Sequence, residues 1–348
     1  MEQAPRKLDQ ELSDRFDRLL RQLGTEPDAL SAKLTRQMIH TAVKLLRDGA
    51  DTGELKLISR SLKELRYALK VFRDYRDAPK VAIFGSARTA EDHVDYLAAV
   101  ELSRQMAQRG WMIITGAGDG IMRAGHGGAG RDSSFGVAIR LPFETTANEY
   151  IQGDPKLIVF RYFFTRKLIF VSQAHAVVLF PGGFGTQDEC FETLTLIQTG
   201  KAPIVPVVML NPPGSSYWQR WDRFVQGELL GNGLIDESDR HLYTICANVQ
   251  EAAGHILAFY GNYHSQRFVR DELVIRMHRT LQPRQVDRLN EEFADLVATG
   301  RIEQGGPLAA EREHPALARL RFVFTRRHIG RLRLLIDRIN ALDRDNRA

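Results

Sequence analysis

Cysteine is scarce in this chain, since its 348 residues include only Cys190 and Cys246. Two cysteines supply neither a disulfide framework nor a zinc-binding pattern, which favours a reducing compartment. Apolar runs of transmembrane length are missing, and the first residues lack the hydrophobic core of a signal peptide. The sequence therefore predicts a soluble, cytoplasmic protein. Charge of one sign is not in large excess either, because 48 basic and 43 acidic side chains leave a net charge of +5.

The order of the predicted elements indicates the fold class. Helical spacing of apolar residues fills 8–76, whereas short apolar strands alternate with helices from Lys80 onward. Such alternation is typical of a Rossmann-like, doubly wound parallel α/β sheet. We expect a helical arm at 1–78, a nucleotide-binding catalytic domain at 79–262 and a small α+β extension at 263–348. The expected strands are 81–84, 111–115, 135–141, 157–160, 175–180 and 203–210, the last as an edge or bulged strand because of its prolines.

The C-terminal extension is rich in arginine. Its pattern predicts helices at 283–297 and 331–339 and a strand at 317–325. Contact with RNA or DNA is one interpretation of the excess of arginine. A solvated or subunit-contacting face is favoured instead, because no aromatic stacking motif or groove-reading helix is identifiable.

One stretch, P-G-G-F-G-T-Q-D-E at 181–189, is the centre of the predicted site. It joins the apolar strand 175–180 to a helix at 190–199. Gly182, Gly183 and Gly185 lack Cβ atoms, so the backbone can approach a ligand closely. The free N–H groups and the positive end of the helix dipole favour an anion such as phosphate. The spacing matches neither a Walker loop nor a G-x-G-x-x-G fingerprint.

Two interpretations of Glu189 are open. In T-x-x-E, Thr186 and Glu189 form a capping box, in which the glutamate reaches back to the helix end. Alternatively the carboxylate faces a pocket, where it meets the sugar of a ligand whose phosphate lies at the helix end. The second is favoured by the buried strand and glycine loop in front. A capping Glu189 would pack against Thr186, whereas a catalytic one would point into the pocket.

Two further glycine loops follow predicted strands, one at Gly85-Ser86 and one at 116–122. Loops at the carboxyl ends of parallel strands meet in one crevice, so we expect all three to converge on a nucleotide. NAD is disfavoured because Gly120 comes one position early for the fingerprint and the acidic ribose partner is missing. The alternative for Gly116, Gly118 and Gly120 is a tight turn with close packing.

A pair of cations, Arg166 and Lys167, lies in the otherwise apolar predicted helix 162–174. A solvated stripe is one interpretation, because long basic side chains reach water readily. The apolar residues that follow indicate that the helix is largely buried, and a buried cation needs a partner. Phosphate or Glu189 would serve.

These motifs resemble the Lonely Guy family, long labelled possible lysine decarboxylases. The signature P-G-G-x-G-T-x-x-E matches at every fixed position of 181–189, and Arg166-Lys167 is similar to the family's Arg-Lys pair. The loop 116–122 is similar to G-G-G-x-x-G-[IL]-M, except that Ala117 replaces the middle glycine and the spacing is one residue shorter. The resemblance covers roughly residues 80–260.

The resemblance implies hydrolysis of the N-glycosidic bond of a nucleoside 5′-monophosphate, AMP-like or a cytokinin riboside monophosphate, without metal or cofactor. It implies Glu189 and Arg166 as the catalytic pair, and a homodimer or larger homo-oligomer. Membrane and nucleic-acid partners are not expected. The expected substrate-binding residues are Gly85, Ser86, Gly116, Gly118, Gly120, Met122, Lys167, Pro181, Gly182, Gly183, Gly185 and Thr186. Two alternatives stay open: a non-catalytic nucleotide sensor with the same pocket, and a single-stranded nucleic-acid binder.

Overall fold

The computed structural model describes residues 3–26, 28–142, 147–309, 311 and 313–345. Contacts within the chain divide it into two compact units, Met1–Glu64 and Leu65–Ala348. The predicted domain boundaries at 78/79 and 262/263 are a different kind of division, because they separate parts expected to fold independently. They stay a prediction.

The first unit is helical, as predicted for the N-terminal arm. It contains α1 (Gln3–Gln22), α2 (Leu30–Arg47) and the first half of α3 (Thr52–Arg73). Leu20 and Ala32 are buried between these helices, and an ion pair joins Arg36 to Asp17. Amphipathic helices of this kind are stabilised mainly by the apolar face that they bury.

The second unit is built on a seven-stranded sheet in which all neighbouring strands are parallel. Its order is β4-β3-β2-β1-β5-β6-β7. The chain runs outward from β1 to β4 and then returns to place β5 beside β1, so the topological switch point lies between β1 and β5. The strands are β1 (Lys80–Phe84), β2 (Met112–Thr115), β3 (Ser134–Ile139), β4 (Leu157–Phe160), β5 (Ala176–Leu179), β6 (Val207–Leu210) and β7 (Thr244–Cys246).

Helices cover both faces of this sheet, which explains why the last four residues of β1, from Val81 to Phe84, are all apolar. Val81 and Ile83 pack on one face, and Ala82 and Phe84 pack on the other. A strand buried on both sides loses the alternation of polar and apolar residues. The first face carries α4 (Val94–Ala107), α5 (Ile121–Ala129) and α9 (Val249–Phe259), and the second carries the end of α3, α6 (Phe163–Gln173), α7 (Phe184–Gln198) and α8 (Tyr217–Phe224). The predicted doubly wound fold is confirmed.

The prediction that the strand at 203–210 lies at an edge or contains a bulge is wrong. β6 starts only at Val207 and pairs with β5 on one side and β7 on the other. Pro203 and Pro206 precede it, so their missing N–H groups fall outside the ladder, while the Pro206 carbonyl still accepts from Val177 N at 2.9 Å. The covering strand β7 has three residues, too few for a periodicity signal.

The C-terminal part forms a four-stranded antiparallel sheet in the order β10-β11-β9-β8. The predicted strand and second helix are confirmed as β11 and α11, whereas the helix expected to end at Val297 ends at Glu292. The strands β8, β9 and β10 were not predicted. β10 buries only Ile302 and so shows no apolar alternation. The elements are β8 (Tyr263–Val269), β9 (Glu272–Met277), α10 (Pro283–Glu292), β10 (Val297–Gly305), β11 (Ala318–Phe324) and α11 (Ile329–Asp345).

The two sheets share one apolar core within the second unit. Leu273, Ile275 and Phe322 of the antiparallel sheet belong to the same buried cluster as Phe84 and Phe170 of the parallel one. None of the helices in the described ranges combines the length and the hydropathy needed to cross a membrane.

Candidate active site

The loops that follow β1, β2 and β5 meet at the switch point, as predicted. Ser86 donates its N–H to Pro181 O at 3.2 Å, and its own carbonyl accepts from Ile121 N at 3.0 Å. Residues of the β1 loop therefore bridge the other two loops. Gly120 has φ +57°, and a Cβ there would lie 2.3 Å from Ser86 O. Only glycine allows this approach without displacing backbone.

The β5 loop leads directly into α7. This helix starts at Phe184 with Gly183 as its N-cap residue, and no side chain caps it. The capping-box interpretation is therefore wrong, because Thr186 already lies inside the first turn. Thr186 instead packs over Gly182, where an added Cβ would come within 2.1 Å of Thr186 Oγ1.

Gly183 and Gly185 face open space. A Cβ on either residue would have no neighbour within 4 Å. Packing of the protein itself therefore does not require glycine at these positions. An uncapped helix start beside open space leaves its first N–H groups and the positive dipole end available to an anion.

Glu189 is buried one turn further along α7, with 6% of its surface exposed. Burial raises the pKa of its carboxyl group to about 7, although the nearby cations Arg166 and Lys167 act in the opposite direction. A carboxyl group with this pKa exchanges a proton readily at neutral pH, as a general acid or base must.

Arg166 is a buried cation on α6. Its guanidinium carbon lies 5.3 Å from the ring centroid of Phe170 and 5.8 Å from that of Phe163. On the loop side, a Cβ added to Gly116 would lie 2.9 Å from Arg166 Nη2. The guanidinium therefore lies between two aromatic rings and the β2 loop, within electrostatic reach of Glu189.

Lys167, which was predicted to bind substrate, forms ion pairs with two carboxylates of α7. Its Nζ lies 2.6 Å from Asp188 Oδ2 and 2.9 Å from Glu192 Oε2. Burial opposes the charged form, but hydrogen bonds to these carboxylates raise the pKa of Lys167 overall. The ion pairs join α6 to α7, and a contact between Lys167 and the phosphate stays a prediction.

A buried polar network below the β2 loop was not predicted. Ala117 has φ +65°, which costs a residue with a Cβ about 1 kcal/mol. Thr115 Oγ1 accepts from Ala117 N at 3.0 Å. Asn148 donates through its N–H to Ala117 O at 2.9 Å and through Nδ2 to Gly118 O at 3.0 Å. The alanine that replaces the family's glycine is thus held in its unusual conformation by hydrogen bonds.

His126 connects the members of this network. Its Nε2 lies 3.0 Å from Phe135 O and 3.0 Å from Thr115 Oγ1. A carbonyl oxygen only accepts, so Nε2 carries the proton, and Nδ1 accepts from Asn148 Nδ2 at 3.1 Å. Burial lowers the pKa of His126, which keeps the ring neutral. These residues are dispersed in the sequence, at 115, 126 and 148, and no local pattern marks them.

Tyr217 supports the β5 loop from the other side. Its hydroxyl donates to Gly182 O at 2.5 Å and accepts from Gln187 Nε2 at 2.6 Å. Tyr217 and Gln187 also line an open cleft of about 690 Å³ beside the start of α7. Tyr217 is a further supporting residue that was not predicted, because it lies on α8, far along the chain from the motif.

Comparison with known proteins agrees with this geometry. The family described as "Possible lysine decarboxylase" matches residues 117–256, which contain Met122, Arg166 and the whole motif from Pro181 to Glu189. The family model therefore supports the resemblance to the Lonely Guy family that the motif indicates. The match starts just after Gly116, so Gly85 and Ser86 rest on the structure alone for their place in the site.

The curated relatives of the chain are distant in sequence. It is 27% identical over 188 residues to a pyrimidine/purine nucleotide 5′-monophosphate nucleosidase of Escherichia coli, a match that covers 51% of this chain and only 40% of the relative. It is 27% identical over 175 residues to a cytokinin riboside 5′-monophosphate phosphoribohydrolase of Mycobacterium tuberculosis, covering 49% of this chain and 90% of the relative.

Among solved structures, the chain is similar to a molybdenum cofactor carrier protein of Chlamydomonas reinhardtii. It is 22% identical, with a TM-score of 0.36, and the match covers 52% of this chain and 96% of the carrier. A likeness at that score carries no argument about function.

Proposed function

We propose that the protein hydrolyses the N-glycosidic bond of a nucleoside 5′-monophosphate and releases the free base and ribose 5-phosphate. The observation that carries the proposal is the placement of Glu189, a buried carboxyl group with a pKa of about 7, one turn behind an uncapped helix start. The names of the relatives support the same reaction. The substrate is an AMP-like nucleotide or a cytokinin riboside monophosphate.

Binding in this proposal begins at the phosphate. The main chain at Gly183 and Gly185 and the first turn of α7 take the 5′-phosphate, with Gly182, Pro181 and Thr186 shaping the turn. The loops at Gly85-Ser86 and at 116–122 enclose the rest of the nucleotide. Binding energy gained at the phosphate is remote from the reacting bond, so it positions C1′ without weakening the chemistry.

The chemical step exchanges the bond from C1′ to the base nitrogen for a bond from C1′ to water oxygen. Glycosidic cleavage develops positive charge on the ribose, which an ionised Glu189 stabilises. Glu189 then accepts a proton from the attacking water. The base nitrogen takes the electrons of the broken bond together with a proton from solvent, and Glu189 afterwards returns its proton to solvent. Arg166 favours the ionised form of Glu189 and so partly offsets the rise in the pKa of that carboxyl group caused by burial.

Substitution of Glu189 tests the assignment. In Glu189→Gln we expect base release to fall by at least roughly 100-fold, because the general base is lost. Nucleotide affinity should stay within roughly tenfold, since the phosphate is held by main chain. The measurements are ribose 5-phosphate formation and calorimetric binding of AMP.

Glu192→Gln is the matched control, because Glu192 lies on the same helix but pairs with Lys167. It should keep most of the activity. A panel of nucleoside monophosphates identifies the preferred base, with unphosphorylated nucleosides as controls. Full activity of Glu189→Gln would remove the proposal, and AMP binding without product in the wild type would favour the nucleotide sensor instead.

The nucleic-acid alternative finds less support, because arginines of the C-terminal part are engaged within the fold. Arg331 pairs with Asp295 at 2.8 Å, and Arg338 pairs with Glu292 at 2.9 Å. Arginines already paired with carboxylates gain little from neutralising phosphates. Salt-sensitive binding of oligonucleotides would reopen that alternative.

A further inference from the structure

We propose that Asn148 is a positioning residue that holds the guanidinium of Arg166 in place through the β2 loop, a role that rests on the proposed function of Arg166. Asn148 lies 26 residues beyond Met122 in the chain and outside every motif. It is 5% exposed. Its side chain lies in the buried network below the loop, where it bonds Gly118 O and His126.

Asn148 fixes the shape of the loop from two directions. Its main-chain N–H binds Ala117 O at 2.9 Å, and its side-chain Nδ2 binds the next carbonyl, Gly118 O, at 3.0 Å. Thr115 Oγ1 binds Ala117 N at 3.0 Å from the strand side. Three hydrogen bonds on two consecutive residues hold a backbone that Ala117 would not adopt on its own, given its positive φ.

The loop in turn forms one wall around Arg166. Gly116 is so close to the guanidinium that an added Cβ would lie 2.9 Å from Nη2, and 2.6 Å from Met122 Sδ. Met122 also packs on Gly118, where an added Cβ would be 2.8 Å from its Cε. A shift of the carbonyls that Asn148 holds therefore moves Gly116, which lies against the guanidinium, and Met122, which packs on the same loop.

A displaced Arg166 would change the ionisation of Glu189, the proposed general base. Four charged groups influence its carboxyl group: Arg166 and Lys167 favour the ionised form, and Glu192 and Asp188 oppose it. Lys167 is fixed by its own ion pairs, so loosening of the β2 loop changes mainly the contribution of Arg166. A displacement of about 1 Å at such a group costs up to roughly 100-fold in rate.

The test uses the full-length protein with Asn148→Ala and Thr115→Val, which remove different hydrogen bonds to the same loop. We expect the titration midpoint of the Glu189 carboxyl carbon, followed by ¹³C NMR, to move to higher pH in both variants. We also expect kcat for the preferred nucleotide to fall at least roughly tenfold, with KM changed by less than about threefold because the phosphate site lies on another loop. If Asn148→Ala does not fold, the titration of Thr115→Val tests the inference.

Asn262→Ala is the matched control. Asn262 is fully buried and bonds the main chain of Arg279 through both side-chain atoms, in the C-terminal part of the chain. It should lose a similar amount of stability while the Glu189 titration stays unchanged. An unchanged titration in Asn148→Ala and Thr115→Val, or an equal shift in Asn262→Ala, would overturn the inference. The NMR titration needs no substrate, so absence of turnover in the wild type would refute the proposed function alone.

Discussion

At the scale of one residue, burial of Glu189 links the pKa of its carboxyl group to the stability of the fold. Its carboxyl group has a pKa of about 7 in the folded protein, against an ordinary value of 4.5. Between these pH values the folded state binds more protons than the unfolded state. The free energy of unfolding must therefore fall as the pH rises through that window.

The prediction is that Glu189→Gln is more stable than the wild type at pH 8, by up to about 3 kcal/mol. The difference should shrink toward pH 5, because the wild-type carboxyl group is then protonated in the fold. Urea unfolding at the two pH values measures it. An equal stability difference at both would contradict a raised pKa of Glu189.

Asp154→Asn provides a control of opposite sign. Burial opposes ionisation of Asp154, but hydrogen bonds from Lys156 lower the pKa of the carboxyl group overall. This variant should be less stable than the wild type at pH 8, and the gap should close as the pH falls through the acidic range.

At the scale of the element, the start of α7 contains one glycine that packing requires and others that face open space. Gly182 is confined by Thr186 and Ser86, whereas Gly183 has φ −86° and open space around it. The same substitution at neighbouring positions should therefore have different effects.

We predict that Gly182→Ala loses roughly 1–3 kcal/mol of stability, because its Cβ would overlap Thr186 Oγ1. Gly183→Ala should keep the wild-type Tm but bind AMP at least roughly tenfold more weakly, because the methyl group occupies the approach of the phosphate. Thermal melts and calorimetry measure the two effects. Unaltered AMP binding in Gly183→Ala would place the phosphate elsewhere.

At the scale of the whole molecule, apolar side chains of α6 and α7 lie at the surface. Phe164 and Leu168 are each 55% exposed, and Phe184 is 96% exposed. Large apolar side chains exposed on two helices that ion pairs join commonly mark a protein–protein interface. They support the expected homodimer or larger homo-oligomer.

The prediction is that sedimentation velocity finds a homo-oligomer for the wild type and a smaller species for Leu168→Glu, since a charge in an apolar interface lacks a partner. Val94→Glu is the control, because Val94 is also exposed but lies on α4, on the other face of the sheet. A monomeric wild type would contradict the expectation, as would equal behaviour of both variants.

The fold was largely predictable because its strands are apolar on both faces and its helices end at glycines or turns. β1 and β5 are short buried runs followed by glycine, which is a local signal. β7, β8, β9 and β10 were not predicted. β7 is very short, and β8 and β10 are outer strands with few buried residues, whereas β9 is a buried strand whose short apolar run was overlooked. β6 was predicted as an edge strand, but it is an inner strand because β7 pairs with its outer side.

By itself the sequence determined the motif 181–189, the glycine loops and the pair Arg166 and Glu189 as candidates, because each is a local pattern with a physical reason. Only the tertiary structure decided between a capping and a buried Glu189, since helix α7 begins at Phe184. It also decided that Lys167 pairs with carboxylates and that Asn148, His126 and Tyr217 support the loops. Contacts between residues far apart in the chain leave no periodicity in the sequence, so they become visible only when the strands are assembled.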